Sequence, residues 1–238
     1  MITPEHFDQL KNLLFIDIET ASGEADFSDL SEAMQELWVK KGRKVSPDAS
    51  PEESYTHWAA LFAEFGQVIT IGLGYFFKEE EEVHFKVKAL DYEREEDILQ
   101  EVATMLANKK RLRLVAHNGL SFDYPYLGRR MIVSGIPLPA TLDLMAKKPW
   151  EIRHIDTLQL WKFGEMRNYT SLALLCEILG IPTSKEDLDG SLVSQTYHQN
   201  KELSRIAHYA QEDVIATARL FLRLYGMPEL LDERIHWV

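Results

Sequence analysis

Cysteine is nearly absent: Cys176 is the one thiol in 238 residues. That excludes an internal disulfide and a zinc cage built from several thiolates, and it fits a reducing compartment. Within Leu172-Ala-Leu-Leu-Cys-Glu-Ile-Leu179 the residue reads as a small buried hydrophobe rather than a nucleophile. Long apolar runs are missing too, since no stretch approaches the ~20 residues that span a bilayer. The start, Met1-Ile-Thr-Pro-Glu-His6, lacks a basic segment followed by an apolar one. The expectation is a cytoplasmic location with no membrane partner. Positive charge is also scarce: 26 Lys and Arg against 38 Asp and Glu leave a net charge of −12. A passive nucleic-acid binder presents the opposite, a basic face. Either the partner is not a polyanion, or part of the acid is committed to metal ions that invert the local field.

What is present is a globular composition, 45% hydrophobic and 27% charged. The length suits one generous domain over 1–238. Residues 12–18, Asn-Leu-Leu-Phe-Ile-Asp-Ile, read as a buried strand. Helical spacing over 26–42 and 52–65, separated by the polar stretch Ser46–Pro51, marks a helical insertion at about 22–65. Strands are expected over 67–77 and 83–90, joined by the charged tip Lys78-Glu-Glu-Glu-Glu82, whose glutamates read as a solvated hairpin end. A helix over 93–108, a strand over 111–117, helices over 122–134, 169–179 and 202–225, and a short strand over 152–156 complete one mixed α/β sheet with helical cover.

Three acidic sites lie at the ends of apolar elements: Asp17-Ile-Glu19, Asp123 and Asp213. Alternate residues of a strand share a face, so Asp17 and Glu19 can stand side by side. Two such carboxylates repel unless a cation joins them. All-oxygen ligands favour Mg²⁺ or Mn²⁺ over zinc, and two such ions about 3.5–4 Å apart serve in-line phosphodiester displacement. Each motif alone has a bland alternative: a solvated strand end, a helix-start carboxylate for Asp123, an exposed polar stripe for Asp213. On a helix, Tyr209 lies roughly 40° from Asp213, whereas His208 lies roughly 140° away and reaches it only if the helix begins later.

In order and spacing, Asp17-Ile-Glu19-Thr20, His117-Asn118-Gly-Leu-Ser-Phe122-Asp123 and Tyr209-Ala-Gln-Glu-Asp213 resemble the three motifs of the DEDD superfamily of 3′→5′ exonucleases. They are most similar to the exonuclease domains of family B DNA polymerases and to predicted stand-alone polymerase-B-like exonucleases. The resemblance runs from about Leu13 to Tyr225. It implies an RNase H-like fold, a mixed five-stranded sheet with helices on both faces plus the insertion after the first strand. It also implies two divalent ions, Mg²⁺ or Mn²⁺, with Asp17 bridging them, Glu19 and Asp213 holding the first, and Asp123 supporting the second. Its tyrosine subclass has Tyr-x-x-x-Asp and its histidine subclass His-x-x-x-x-Asp. Both are satisfied here, through Tyr209 and His208, and the apolar spacing of Leu203, Ile206, Ala207 and Ala210 favours a helix already running before His208 and hence Tyr209. Thr20, Asn118, Phe122 and Lys185 are the substrate contacts it implies, with single-stranded DNA or RNA 3′ ends as partner and DNA preferred.

Two other functions compete with this expectation. One is a nucleic-acid or protein binding module with the same fold and little turnover, suggested by the charge of −12 and the insertion. The other is a haloacid-dehalogenase-like phosphatase, suggested by Asp17-Ile-Glu-Thr20 but lacking a later Gly-Asp-x-x-x-Asp. Asp187-Leu-Asp-Gly190 hints at a calcium loop without its terminal acid. His117, His154 and His236 share no spacing that argues for a metal. Lys40-Lys-Gly-Arg-Lys44 is a local basic cluster suited to a phosphate backbone or to plain solvation.

Overall fold

The computed structural model describes residues 2–107, 109, 111–183, 193–200 and 202–238. In chain order the elements are α1 (Pro4–Leu10), β1 (Leu13–Ser22), α2 (Glu32–Val45), α3 (Pro51–Trp58), β2 (Gly66–Glu79), β3 (Glu82–Leu90), α4 (Glu95–Leu106), β4 (Arg113–Ala116), α5 (Asp123–Val133), β5 (Ile155–Asp156), α6 (Thr157–Trp161), α7 (Leu172–Leu179), α8 (Val193–Gln195), α9 (Leu203–Leu224) and β6 (Ile235–Trp237). The sheet runs β5-β4-β1-β2-β3-β6. β1, β2 and β3 are antiparallel neighbours, while β4 is parallel to β1 and β5 to β4. This is the expected RNase H-like mixed sheet with one correction: it has six strands, not five. The sixth, β6, pairs parallel with β3 through Phe85↔Ile235 and Val87↔Trp237. Three residues are too few for an alternation signal, which is why the sequence pattern misses it.

β1 separates two cores by residue parity. Leu14, Ile16 and Ile18 pack with α4 and α5 through Ile98, Leu99, Val102, Tyr124 and Leu127. Leu13 and Phe15 pack on the other face with α9, through Val214, Ala218 and Phe221. Phe15 meets Phe76, Phe85 and Phe221 edge-on at 5.6–5.7 Å. Parity then dictates that Asp17 and Glu19 project toward α9.

The insertion has its own small core. Trp38 and Tyr55 are fully buried, stacked edge-on at 5.3 Å, with Phe65 and Phe62 against Trp38. Ser31 caps α2, and Ser50 with Glu53 forms a capping box on α3, whose first residue is Pro51. Against the helical patterns at 26–42 and 52–65, α2 starts later because Ser31 caps it, and α3 ends earlier, at Trp58, where the chain tightens into a 3₁₀ turn over Ala59–Leu61. Lys41 lies over the Phe62 ring at 4.0 Å, so one cation of the basic cluster packs on this core while Arg43 and Lys44 stay exposed. No helix among the described residues is long and apolar enough to cross a membrane.

Candidate active site

Asp17 and Glu19 occupy the last turn-free stretch of β1, opposite Gly72 and Thr70 of β2. After Glu19 the register jumps: Thr20 faces Val68, leaving Ile69 as an extra residue, a bulge beside the acidic pair. At the bulge, the Val68 N–H donates to Glu95 Oε1 at 2.7 Å. Arg130 holds that same carboxylate through Nε at 2.9 Å and Nη2 at 2.5 Å, and its Nη1 donates to the Ala63 carbonyl at 2.9 Å. A buried ion pair thus fixes the start of β2, opposite the end of the strand that carries the acids. Glu95 and Arg130 carry no sequence signal for this role, since their partners are 35 and 27 residues away.

α9 brings the remaining groups. It crosses β2 at Gly72, where a Cβ would stand 2.4 Å from the Ala210 carbonyl oxygen. That closeness lets Asp213 join Asp17 and Glu19, and the three carboxylates offer oxygens all within 4.8 Å of one another. Asp123 begins α5 and lies outside this tight trio. It is buried, its Oδ1 accepts the Ile18 N–H at 3.2 Å, and its charge acts on both Asp17 and Glu19.

Such crowding raises every carboxyl. Burial pushes Asp17 well above the usual range, with repulsion from Glu19, Asp213 and Asp123 adding to it. Burial and then Asp213 and Asp123 do the same to Glu19. Burial lifts Asp213 to about 6 against the opposing Tyr209 hydrogen bond, and lifts Asp123 to about 7 against backbone N–H donors including Ile18. Two or more ionised carboxylates here need a cation, and an all-oxygen set in this spacing fits a hard divalent ion.

A prediction follows for metal-free protein. Carboxyls with raised folded values contribute stability that is full below about pH 4 and is lost as pH climbs through about 6 for Asp213 and about 7 for Asp123. Melting temperature with chelator should be lower at pH 8 than at pH 5, and saturating Mn²⁺ should remove the difference. A metal-free melting temperature that is flat or rising over that window contradicts the electrostatics.

α9 begins at Leu203, so the helix is already running before His208 and Tyr209 shares the face of Asp213. The Tyr209 hydroxyl hydrogen-bonds Asp213, and burial beside Asp213, Glu19 and Asp17 pushes its ionisation far up. His208 turns away, its Nε2 3.4 Å from Glu212 and its ring 5.1 Å from that of Trp237.

Asn118 adopts a left-handed backbone, φ +66°, in the turn before α5. That turn is held by Asp156, whose Oδ1 accepts the Asn118 and Leu158 N–H groups at 2.9 Å and whose Oδ2 accepts the Leu120 N–H at 3.1 Å. Sequence reasoning passed over Asp156. Its signal was an Asp between a short strand and a helix start, where a carboxylate caps backbone donors. His117 is likewise structural, bonded to the Thr157 hydroxyl at 2.9 Å and the Thr170 carbonyl at 2.8 Å, with burial lowering its pKa. Lys185 and the loop at 187–190 lie outside the described residues. Cys176 is fully buried, and burial pushes its thiol up to about 11, as befits a core hydrophobe.

A groove of about 750 Å³ opens from Glu19 and Thr20. Phe122 lines it beside them, its ring 5.3 Å from Tyr126, and Ser46, Glu53, His57, Trp58 and Leu61 of the insertion form the facing wall. Trp58 is 38% exposed there.

A mixed sheet that gathers carboxylates from its central strand and a crossing helix, at the head of an open groove, defines a nuclease-like α/β protein. The chain belongs to the family described as predicted 3′-5′ exonucleases related to the exonuclease domain of PolB, whose model matches residues 61–236. The match spans Asp123, Tyr209 and Asp213, and it starts after Asp17 and Glu19. Among curated proteins, DNA polymerase 1 of Pyrococcus abyssi and of its strain GE5 / Orsay is 25% identical over 146 residues, 56% of this chain and 18% of theirs. The chain therefore spans about a fifth of the length of those relatives. The family B DNA polymerase structure from the hyperthermophilic archaeon Pyrobaculum calidifontis superposes with a TM-score of 0.56 at 14% identity, covering 89% of this chain and 24% of that one, a likeness of fold.

Proposed function

We propose that the protein is a divalent-metal-dependent exonuclease that hydrolyses phosphodiester bonds from the 3′ end of single-stranded nucleic acid, DNA in preference to RNA. The observation that carries this reading is the trio Asp17, Glu19 and Asp213, with oxygens within 4.8 Å, whose Glu19 lines the groove. Asp17, Glu19 and Asp213 would hold the ions, and buried Asp123 adds negative potential behind them. Mg²⁺ or Mn²⁺ bound there supplies neutralisation of the phosphate, acidification of the attacking water and stabilisation of the leaving 3′ oxygen.

Tyr209 stays protonated and bonds its hydroxyl to Asp213, which leaves the phenolic oxygen free to orient a water as an acceptor. It positions the nucleophile and does not deprotonate it. Thr20 and Phe122, at the groove head, meet the terminal nucleotide, and Trp58 offers a stacking face opposite, the usual grip on an unpaired base. A net charge of −12 makes strand affinity depend steeply on the divalent ion.

End-labelled DNA, RNA and duplex incubated with Mg²⁺ or Mn²⁺ should show stepwise shortening of single-stranded DNA from the 3′ end. Intact substrates across the panel would leave a binding module as the better reading. Tyr209→Phe should lower kcat by about 10–100-fold, as loss of an orienting partner does. His208→Ala should leave kcat within about twofold, because its ring lies away from the carboxylates. The reverse ranking would reassign the water-positioning group.

A further inference from the structure

We propose a second metal site, of a different chemical class, at the far end of the hairpin: Glu79 of β2, His84 of β3 and His236 of β6 form a clip for a zinc-type ion. These three residues offer ligand atoms within 4.8 Å of one another. Glu79 lies seven residues beyond Gly72 along β2, about 23 Å from the Asp17 cluster.

Two features make the cluster more than a coincidence of residue types. First, His84 Nδ1 and His236 Nε2 face each other at 2.9 Å, a contact that one shared proton satisfies and that a divalent ion can replace. Tetrahedral zinc with Zn–N bonds of 2.0–2.1 Å sets two nitrogens about 3.3 Å apart, so the rings need only a slight opening. Second, Phe77 locks both imidazoles, its ring 5.5 Å from His84 and 5.2 Å from His236. The other nitrogen of His84 stands 3.3 Å from Arg234 Nη1, and that guanidinium is paired to both oxygens of Glu82. Arginine only donates, so an ion on Nδ1 has to move the ring hydrogen to Nε2 and turn the Arg234 Nη1 aside. Glu79 is exposed and free to swing onto the ion, leaving the fourth position to water.

Two imidazoles and one carboxylate suit a borderline ion such as Zn²⁺, whereas the all-oxygen trio suits Mg²⁺ or Mn²⁺. The clip joins three strands and ties the three-residue β6 to the sheet. It also gives the charged tip a use beyond solvation, through Glu79 as ligand.

Calorimetric titration with Zn²⁺ tests this in Asp17→Asn, which silences the acidic site, and in Asp17→Asn carrying His236→Gln or Glu79→Ala. One Zn²⁺ should bind the Asp17→Asn protein, with affinity at least tenfold weaker once either second change is added. At a hundredfold excess over Kd, Tm should rise by roughly 5–10 °C in Asp17→Asn and not in its His236→Gln derivative. Glu79→Ala alters an exposed side chain, so its metal-free Tm and its Mn²⁺-driven activity in an Asp17 background should match the parent. Absence of Zn²⁺ binding to Asp17→Asn, or equal binding by all three proteins, would overturn the proposal.

Discussion

Asp17→Asn is expected to reduce strand shortening by about a thousandfold or more while making the metal-free protein more stable. The two effects have one cause. Asp17 is the carboxyl on which burial and the charges of Glu19, Asp213 and Asp123 all converge, so its ionised form is costly without a cation and useful with one. The amide keeps the shape, removes a negative charge and is a poor ligand for a hard ion. Removing one preorganised donor from a developing oxyanion typically costs about 10²–10³ in rate, and loss of an ion that several residues share should cost at least as much. On the stability side, relief of repulsion should raise the metal-free Tm at pH 8 by a few degrees, from about 1 kcal/mol at roughly 2–4 °C each. Activity with saturating Mn²⁺ and thermal melts with chelator measure both. A variant that loses activity and stability together would point to damaged folding, and one that keeps activity would remove Asp17 from the chemistry.

The elements that carry these groups were legible because each depends on local pattern. The apolar run 12–18 ending in Asp-x-Glu is β1, and its parity sends both acids to the α9 face. The choice between Tyr209 and His208 turned on where a helix starts, which apolar spacing at Leu203, Ile206 and Ala210 already indicated and α9 bears out. What the sequence hid is held by distant pairing. The bulge at Ile69, the Glu95–Arg130 pair that accepts its neighbour's backbone donor, and the Asp156 brace under Asn118 all join residues 27 to 51 positions apart. No periodicity within one element encodes such contacts. α1 escaped because its seven residues, capped by Thr3 and His6, are too short for a helical stripe. The groove wall was hidden for a similar reason, because the insertion's apolar residues serve two ends: Trp38 and Tyr55 fill its core, while Trp58 and Leu61, at the same helical spacing, face the groove.

Gly72→Ala should be far more harmful than an exchange of one methyl suggests. Gly72 pairs with Asp17 across the β1–β2 ladder, and a Cβ there would lie 2.4 Å from the Ala210 carbonyl oxygen, 2.8 Å from its carbon and 3.0 Å from Val214 Cγ2. Two of the three obstacles are backbone, so no rotamer change relieves them, and α9 must lift from the sheet. Tyr209 and Asp213 ride on that helix at either side of the contact. Overpacking of this kind costs about 1–3 kcal/mol, and a displacement of about 1 Å in a positioned group lowers rate by about a hundredfold. Gly128→Ala is the matched control: it lies within α5, its added Cβ would meet nothing closer than 3.7 Å, and alanine is the better helix former by roughly 0.5–1 kcal/mol. Gly128→Ala should therefore hold or raise Tm with kcat unchanged, while Gly72→Ala lowers both. The comparison is made with saturating Mn²⁺, well below either melting temperature, so that lost rate reports misplaced Asp213 rather than unfolded protein. Full kcat in Gly72→Ala would mean that the close approach of α9 is not what assembles the carboxylates.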